Sequence, residues 1–318
     1  MATRSLVSQL RELTALPAPS GDERAVASWI ADALTAHGFE PEVDAIGNVV
    51  VRRGERLSGL LTAHMDQVGF MVSRLAEARA LCLPVGEPEL DEPCGATVVT
   101  AGRTKTRGRL EPLDETTDAA VLRVEDIDMV DVGDRVVFAG ELREDGDGFL
   151  RAPALDNRIG CWILLHAAFE LASARDDLAF AWTVREETEG SGAVSAARRL
   201  EPSWTISVDV TPAGEARDAE SDIVAGRGPA ITLLDGGMVA HPPLLDAFTR
   251  AARASAIPYQ REVVAEGSSE AGVVEAALGI PGLALLVPIE AAHSPAERAS
   301  PSDVAHALSL LVAGVRRL

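Results

Sequence analysis

The sequence of 318 residues has little cysteine, almost no lysine and no long apolar run. Cys82, Cys94 and Cys161 are odd in number and form no CxxC pair, which argues against a disulfide framework. Cys161 opens an apolar stretch and reads as core. No run of about 18 apolar residues occurs, so no membrane span is expected. The first residues lack an apolar signal core and pass straight into a helical pattern, which gives a cytoplasmic location as the expectation. Basic residues number 29 against 49 acidic ones, a formal net charge of −20, and Lys105 is the only lysine. Phosphate-rich partners need clustered Lys and Arg, so neither nucleic acid nor an anionic membrane surface is expected as a partner. Internal repeats and low-complexity tracts are also missing. What is present is 47% hydrophobic residues, an ordinary globular composition in a chain long enough for more than one domain.

Along the chain, Leu6, Leu10 and Leu13 stand at helical spacing, and Pro17-Ala-Pro19 ends that helix. Ser20-Gly-Asp-Glu23 has the spacing of a capping box. It opens a helix with Val26, Trp29, Ile30 and Leu34 on one face, stopped at Gly38. Strands follow at Pro41–Asp44, Asn48–Arg52 and Leu60–Asp66. From Val68 to about Gly148 short β-type runs such as Val68–Val72, Ala96–Thr100 and Arg135–Phe138 alternate with Gly, Pro and acidic turns, without a long helix. Beyond it, helices at Cys161–Ala172, Ala193–Leu200, Leu244–Ala256 and Ala271–Leu278 alternate with strands at Leu178–Val184, Ser203–Val210, Tyr259–Val264 and Gly282–Ile289. A last helix starts with Ser300 as cap, Pro301 at its first position and Asp303 as its acid. This order predicts an α/β domain of residues 1–67 and 149–318, interrupted by a small all-β domain of residues 68–148.

The side chains with chemistry gather at element ends. Glu186 and Glu187 follow the strand Leu178–Val184, where open α/β sheets place ligand crevices. Neighbours on an extended segment point opposite ways, so one carboxylate can hold something fixed while the other faces a reactant; both can equally be solvated loop acids. His64 and Asp66, two apart on a strand, share a face, which lets a carboxylate receive the second ring N–H of a metal-bound imidazole. A structural histidine is the alternative. Asp156 stands just ahead of a helix, where capping is the alternative. Asp209 ends one apolar strand and His293 follows another. His37, His166, His241 and His306 read as structural or surface residues. Four converging carboxylates, Asp156, Glu186, Glu187 and Asp209, would repel and raise each other's pKa values unless cations neutralised them, and two divalent ions would balance the charge. Imidazole and carboxylate without thiolate suit zinc, cobalt or manganese.

The ordered set Ser20-Gly-Asp-Glu23, Gly47-Asn48, His64-Met-Asp-Gln-Val-Gly-Phe-Met-Val72, Ala154-Leu-Asp-Asn-Arg-Ile-Gly160, Glu186-Glu187, Val208-Asp-Val210, Gly226-Arg-Gly-Pro229 and His293-Ser-Pro295 resembles the tetrahedral, glutamyl and deblocking aminopeptidases among the co-catalytic metallopeptidases. The resemblance covers nearly the whole chain and is weakest in the insert. It implies an αβα sandwich with a mixed central sheet, carrying a β-barrel-like dimerisation domain as the insert. It implies two divalent metal ions, zinc first and cobalt or manganese as alternatives, with Asp156 bridging them, Glu187 and His293 completing one site, and His64 and Asp209 the other. Glu186 would be the general base and Asp66 would orient His64. Peptide substrates, a homo-oligomer (dimer or dodecamer) and a cis peptide between Asp156 and Asn157 are implied as well. Two metals about 3.5–4 Å apart can activate water and polarise the scissile carbonyl.

Two departures stand out. Gly267-Ser-Ser-Glu270 replaces the family's Gly-Gly-Thr-Asp, and Glu290-Ala291 replaces its Arg-Tyr. Ser269, Glu270 and Glu290 are therefore candidates for the substrate pocket. Glu290 would disfavour acidic N-terminal residues unless it turns to solvent or pairs with Arg298. The altered pocket leaves room for a hydrolase of another amide, such as an N-acyl amino acid or a blocked peptide. A catalytically silent assembly or metal-binding protein is the third reading, against which the intact ligands argue.

Overall fold

Four strands buried on both faces carry the fold. The computed structural model describes residues 2–76, 79–90, 96–101, 106–114, 117–124, 127–213, 222–265 and 267–318; Cys94 and Lys105 lie outside them. Leu178–Thr183, Gly59–His64, Trp204–Pro212 and Gly282–Glu290 run parallel, side by side in that order. Leu178–Thr183 and Gly59–His64 are buried at every position, as continuous apolar strands must be when helices cover both sheet faces. Antiparallel strands extend the sheet. Val49–Arg52 pairs with Leu178–Thr183, and Glu297–Ala299 with Gly282–Glu290. Ala230–Leu234 also joins Gly282–Glu290 and carries Gln260–Val263 as its outer neighbour.

Helices Ala2–Thr14, Arg24–Ala36, Leu155–Leu171, Pro242–Ala254 and Pro301–Val315 pack one face through a core that includes Leu10, Ile30, Ile163, Phe248 and Leu311. Ser191–Leu200 packs the other through Ala193, Ala196 and Ala197, with Val274 of Glu270–Leu278 beside them. The small side chains on that face let the helix lie close to the sheet. The result is the expected αβα sandwich with a mixed sheet. Among the described residues no helix is long and apolar enough to cross a membrane.

The insert closes on itself. Gly69–Ala76, Arg79–Val85, Thr117–Val124, Arg107–Asp114, Ala96–Ala101 and Arg135–Phe138 form a closed barrel in that order. Phe70, Val72, Cys82, Leu110, Leu122 and Val136 fill it, a core separate from that of the sandwich. Closure removes the open strand edges that a short sheet would expose. The barrel strands end at Phe138, whereas Arg143–Glu144 already pairs with Leu150–Ala152 in the large sheet. Cys82 and Cys161 are buried and free.

Two local expectations are corrected. Ser20-Gly-Asp-Glu23 is not a capping box: Glu23 is the cap residue of Arg24–Ala36 but makes no side-chain cap bond, because both polar side chains are engaged elsewhere. Ser300 likewise precedes Pro301 without a side-chain cap, its hydroxyl meeting that of Ser302.

Candidate metal centre

Strand register assembles the centre. Thr183 pairs with His64 and Ser207 with Thr62, so His64, Asp209 and the Glu186–Glu187 turn all arrive at the carboxyl end of the parallel sheet. Asp156 comes from the start of the helix Leu155–Leu171, and His293 from the turn after Gly282–Glu290. The backbone of Asp156 and Asn157 is not helical, and the peptide between them is cis. Asn157 folds its amide onto the carbonyl of Val208 at 2.8 Å and receives the Gly160 amide at 2.8 Å. A Cβ at Gly160 would stand 2.2 Å from Asn157 Oδ1, so glycine is needed there.

Asp156 divides its two oxygens. Oδ1 lies 3.2 Å from His64 Nε2 and Oδ2 lies 3.4 Å from His293 Nε2. Asp209 Oδ1 is 3.3 Å from the same nitrogen of His64, and Glu187 Oε2 is 3.3 Å from that of His293. Two triplets result, His64–Asp156–Asp209 and Asp156–Glu187–His293, with a further grouping of His64, Glu186 and Glu187 overlapping them. These spacings are long for hydrogen bonds. They equal the edge of a tetrahedron, about 3.3 Å, whose corners stand 2.0–2.1 Å from a zinc-type ion. Asp156 Oδ1 and Glu187 Oε1 are buried without a hydrogen-bond partner. Orphaned acceptors beside two imidazoles, with no thiolate among the grouped side chains, fit divalent cations.

The electrostatics agree. Burial first, with Asp209 and Asp66 adding to it, pushes the Glu186 carboxyl well above its usual range. Burial and then Asp156 do the same to Glu187. Burial opposes the charged form of His64, but Asp209, Glu186 and Asp156 outweigh it and hold the imidazole well above its ordinary value. Protons thus collect where positive charge is wanted.

Around the ligands the chain supplies fixed partners. Asp66 is fully buried, 3.4 Å from His64 Nδ1, and receives the Ser20 hydroxyl at 2.6 Å and the amides of Glu186 and Glu187 at 3.0 and 3.2 Å. His293 donates Nδ1–H to the carbonyl of Glu87 at 3.1 Å, and its own carbonyl receives the Glu89 amide at 2.9 Å. Glu87 and Glu89 follow the barrel strand Arg79–Val85, so the insert helps to aim one imidazole.

Sequence reasoning passed over several of these partners. Glu297, 2% exposed, receives the amide of Asp156 on Oε2 at 2.9 Å and that of His293 on Oε1 at 3.1 Å. Asn48 receives the Val184 amide and donates to the carbonyl of Gly192. Arg158, fully buried, donates to Gln67 Oε1 and to the carbonyls of Met65 and Leu16. A charged residue inside an apolar run was the available signal for Arg158; nothing local distinguishes Glu297.

The expected pocket residues are each held by a side-chain partner. Ser269 caps the helix Glu270–Leu278 and bonds Asp235 at 2.8 Å. Glu270 is 1% exposed and receives the Thr183 hydroxyl, and burial pushes its carboxyl up to about 7. Both side chains are buried. Glu290 accepts from Arg298 at 2.8 Å, the arrangement in which its charge is already neutralised.

The architecture and sequence have clear counterparts. A curated protein of Acetivibrio thermocellus, provisionally named an aminopeptidase, is 30% identical over 99% of this chain and 100% of its own. An aminopeptidase structure from the archaeon Desulfurococcus kamchatkensis superposes with a TM-score of 0.89 at 26% identity, covering 98% of this chain and 95% of that one. The TET1 peptidase of Pyrococcus horikoshii, described as able to assemble into a tetrahedron or a large octahedral shell, shares the fold with a TM-score of 0.86 at 24% identity, over 97% of this chain and 98% of that one. The family profile of the M42 glutamyl aminopeptidases matches residues 95–310, and the chain belongs to that family.

Proposed function

We propose that this chain, a peptide-bond hydrolase of the aminopeptidase class, works as a dinuclear enzyme with Asp156 shared between two divalent ions. His64 and Asp209 would complete one site, Glu187 and His293 the other. The supporting observation is the division of Asp156, one oxygen toward each histidine at 3.2 and 3.4 Å. Zinc suits the donor set best, with cobalt or manganese next. Such ions supply Lewis acidity to the scissile carbonyl and make water acidic near neutral pH.

Glu186 lies outside both triplets, its Oε2 3.9 Å from His64 Nε2. It takes a proton from the attacking water and returns it to the leaving amine. Asp66 orients the His64 imidazole and holds the amides of Glu186 and Glu187, so ligand and base keep one geometry. Peptides with a free N-terminus are the substrates. The chain works as a homo-oligomer, a reading supported by the assembly described for the P. horikoshii relative, and the barrel serves as the contact between copies.

The test is elemental analysis with kinetics on aminoacyl and N-acyl arylamides. Two divalent ions per chain are expected, with cleavage of aminoacyl substrates. Glu186→Gln should keep the metal and lose about 10²- to 10⁴-fold in turnover. Trace metal after supplementation, cleavage of N-acyl substrates alone, or a native rate in Glu186→Gln would contradict the proposal.

A further inference from the structure

The turn Ser20–Glu23 supplies no ligand and no side-chain cap, yet Ser20 and Glu23 are both buried and reach toward the metal centre. Ser20 donates to Asp66 Oδ2 at 2.6 Å. Glu23 Oε1 receives the amide of Gly21 at 2.6 Å and that of Arg185 at 3.2 Å. Asp66 receives the amides of Glu186 and Glu187. Three consecutive amides, Arg185 to Glu187, therefore end on two buried carboxylates.

That turn needs holding. Arg185 has φ +58, a left-handed conformation that a non-glycine residue keeps only when its surroundings enforce it. From the other side Asn48 receives the Val184 amide at 3.0 Å. The Ser20–Glu23 segment is itself strapped down, because Ala18 and Gln67 exchange hydrogen bonds of 3.0 and 3.2 Å. Glu23 thus joins a fixed segment to the one residue of the turn that Asp66 does not reach.

We propose that Glu23 is a positioning residue for the general base: by receiving the Arg185 amide it sets the turn that aims Glu186 into the crevice, while Ser20 and Asp66 tie the same turn to His64. The inference rests on the reading of Glu186 as base. What matters is an acceptor at one place rather than a charge, since both bonds end on the same oxygen. An amide carbonyl can occupy that place. A side chain one methylene shorter cannot reach it, and the Arg185 amide then loses its carboxylate partner.

The experiment measures kcat, KM and metal content for Glu23→Ala, Glu23→Asp and Glu23→Gln, with Glu186→Gln alongside. Glu23→Ala and Glu23→Asp should lower kcat about 10- to 100-fold, the scale of a misplaced catalytic group. KM should stay within about threefold and metal content should match the parent. Glu23→Gln should restore kcat to within about threefold of the parent. A native kcat in Glu23→Ala and Glu23→Asp overturns the proposal. So does a loss that Glu23→Gln fails to restore, or one that follows metal content. If Glu23→Ala does not fold, the contrast between Glu23→Asp and Glu23→Gln decides alone. Glu186→Gln separates the two readings: a native rate there removes the base assignment and the clamp's purpose with it, whereas an inactive Glu186→Gln beside an active Glu23→Ala removes only the clamp.

Discussion

Two acidic clusters in this molecule solve the same repulsion differently. Asp145, Asp147 and Glu290 close on Arg298 at 2.5, 3.2 and 2.8 Å, and the guanidinium lies 3.8 Å over the ring of Phe149. Asp156, Glu187 and Asp209 stand 3.2–3.4 Å from two imidazole nitrogens, and Asp156 and Glu187 each keep an orphaned oxygen. In the first cluster the hydrogen bond from Arg298 draws Asp145 below the usual carboxylate range. In the second, burial raises Glu186, Glu187 and Asp209 above it, while for Asp156 burial is outweighed by His293 and His64, which hold it below. The chain supplies the cation in one place and leaves room for it in the other. Orphaned oxygens, rather than the number of acids, distinguish an ion-pair network from a cation site.

The comparison breaks most visibly on chelation. Removing divalent metal should abolish hydrolysis, and adding zinc, cobalt or manganese back should restore it, as activity assays before and after dialysis will show. Activity that survives in metal-free protein would put the two clusters in the same class. A smaller effect is expected from Glu297→Ala, which frees the amides of Asp156 and His293 together. Metal affinity should fall about 10- to 100-fold by competition with a chromophoric chelator, the usual scale for partners that orient ligands.

Smaller again is Arg298→Ala, which leaves three acids facing one another at a more exposed site. The melting temperature should drop by a few degrees, while metal content and kcat stay near those of the parent. A loss of metal would join the clusters through Glu297, the neighbour of Arg298. The smallest effect belongs to Glu290→Gln. Because Arg298 already holds Glu290, the order of preference among leucyl, arginyl and glutamyl arylamides should not change, and a reordered preference would return Glu290 to the substrate pocket.

The strand ends were readable because small and β-branched residues in continuous apolar runs leave no other solution for a sheet covered on both faces. His64, Glu186 and Asp209 could be placed by that logic alone, and Asp156 and His293 by position in an ordered motif. What escaped was side chains whose partners are remote. Glu297 meets the amide of Asp156 across 141 residues and Glu23 meets Arg185 across 162. Ser-x-x-Glu before a helix reads as a capping box because the local spacing is the same, and only the fold shows both side chains turned away from the helix they precede. The partners of Ser269 and Glu270 escaped for a related reason. A motif locates a segment near a site, whereas the fold decides which partners its side chains meet.

The division of Asp156 between two ions is tested most directly by anomalous diffraction from crystals loaded with zinc or cobalt. Two peaks per chain are expected on either side of Asp156, one near His64 and Asp209, the other near Glu187 and His293, with one Asp156 oxygen directed at each. A single peak, or two peaks of which Asp156 touches only one, would contradict the shared-carboxylate centre.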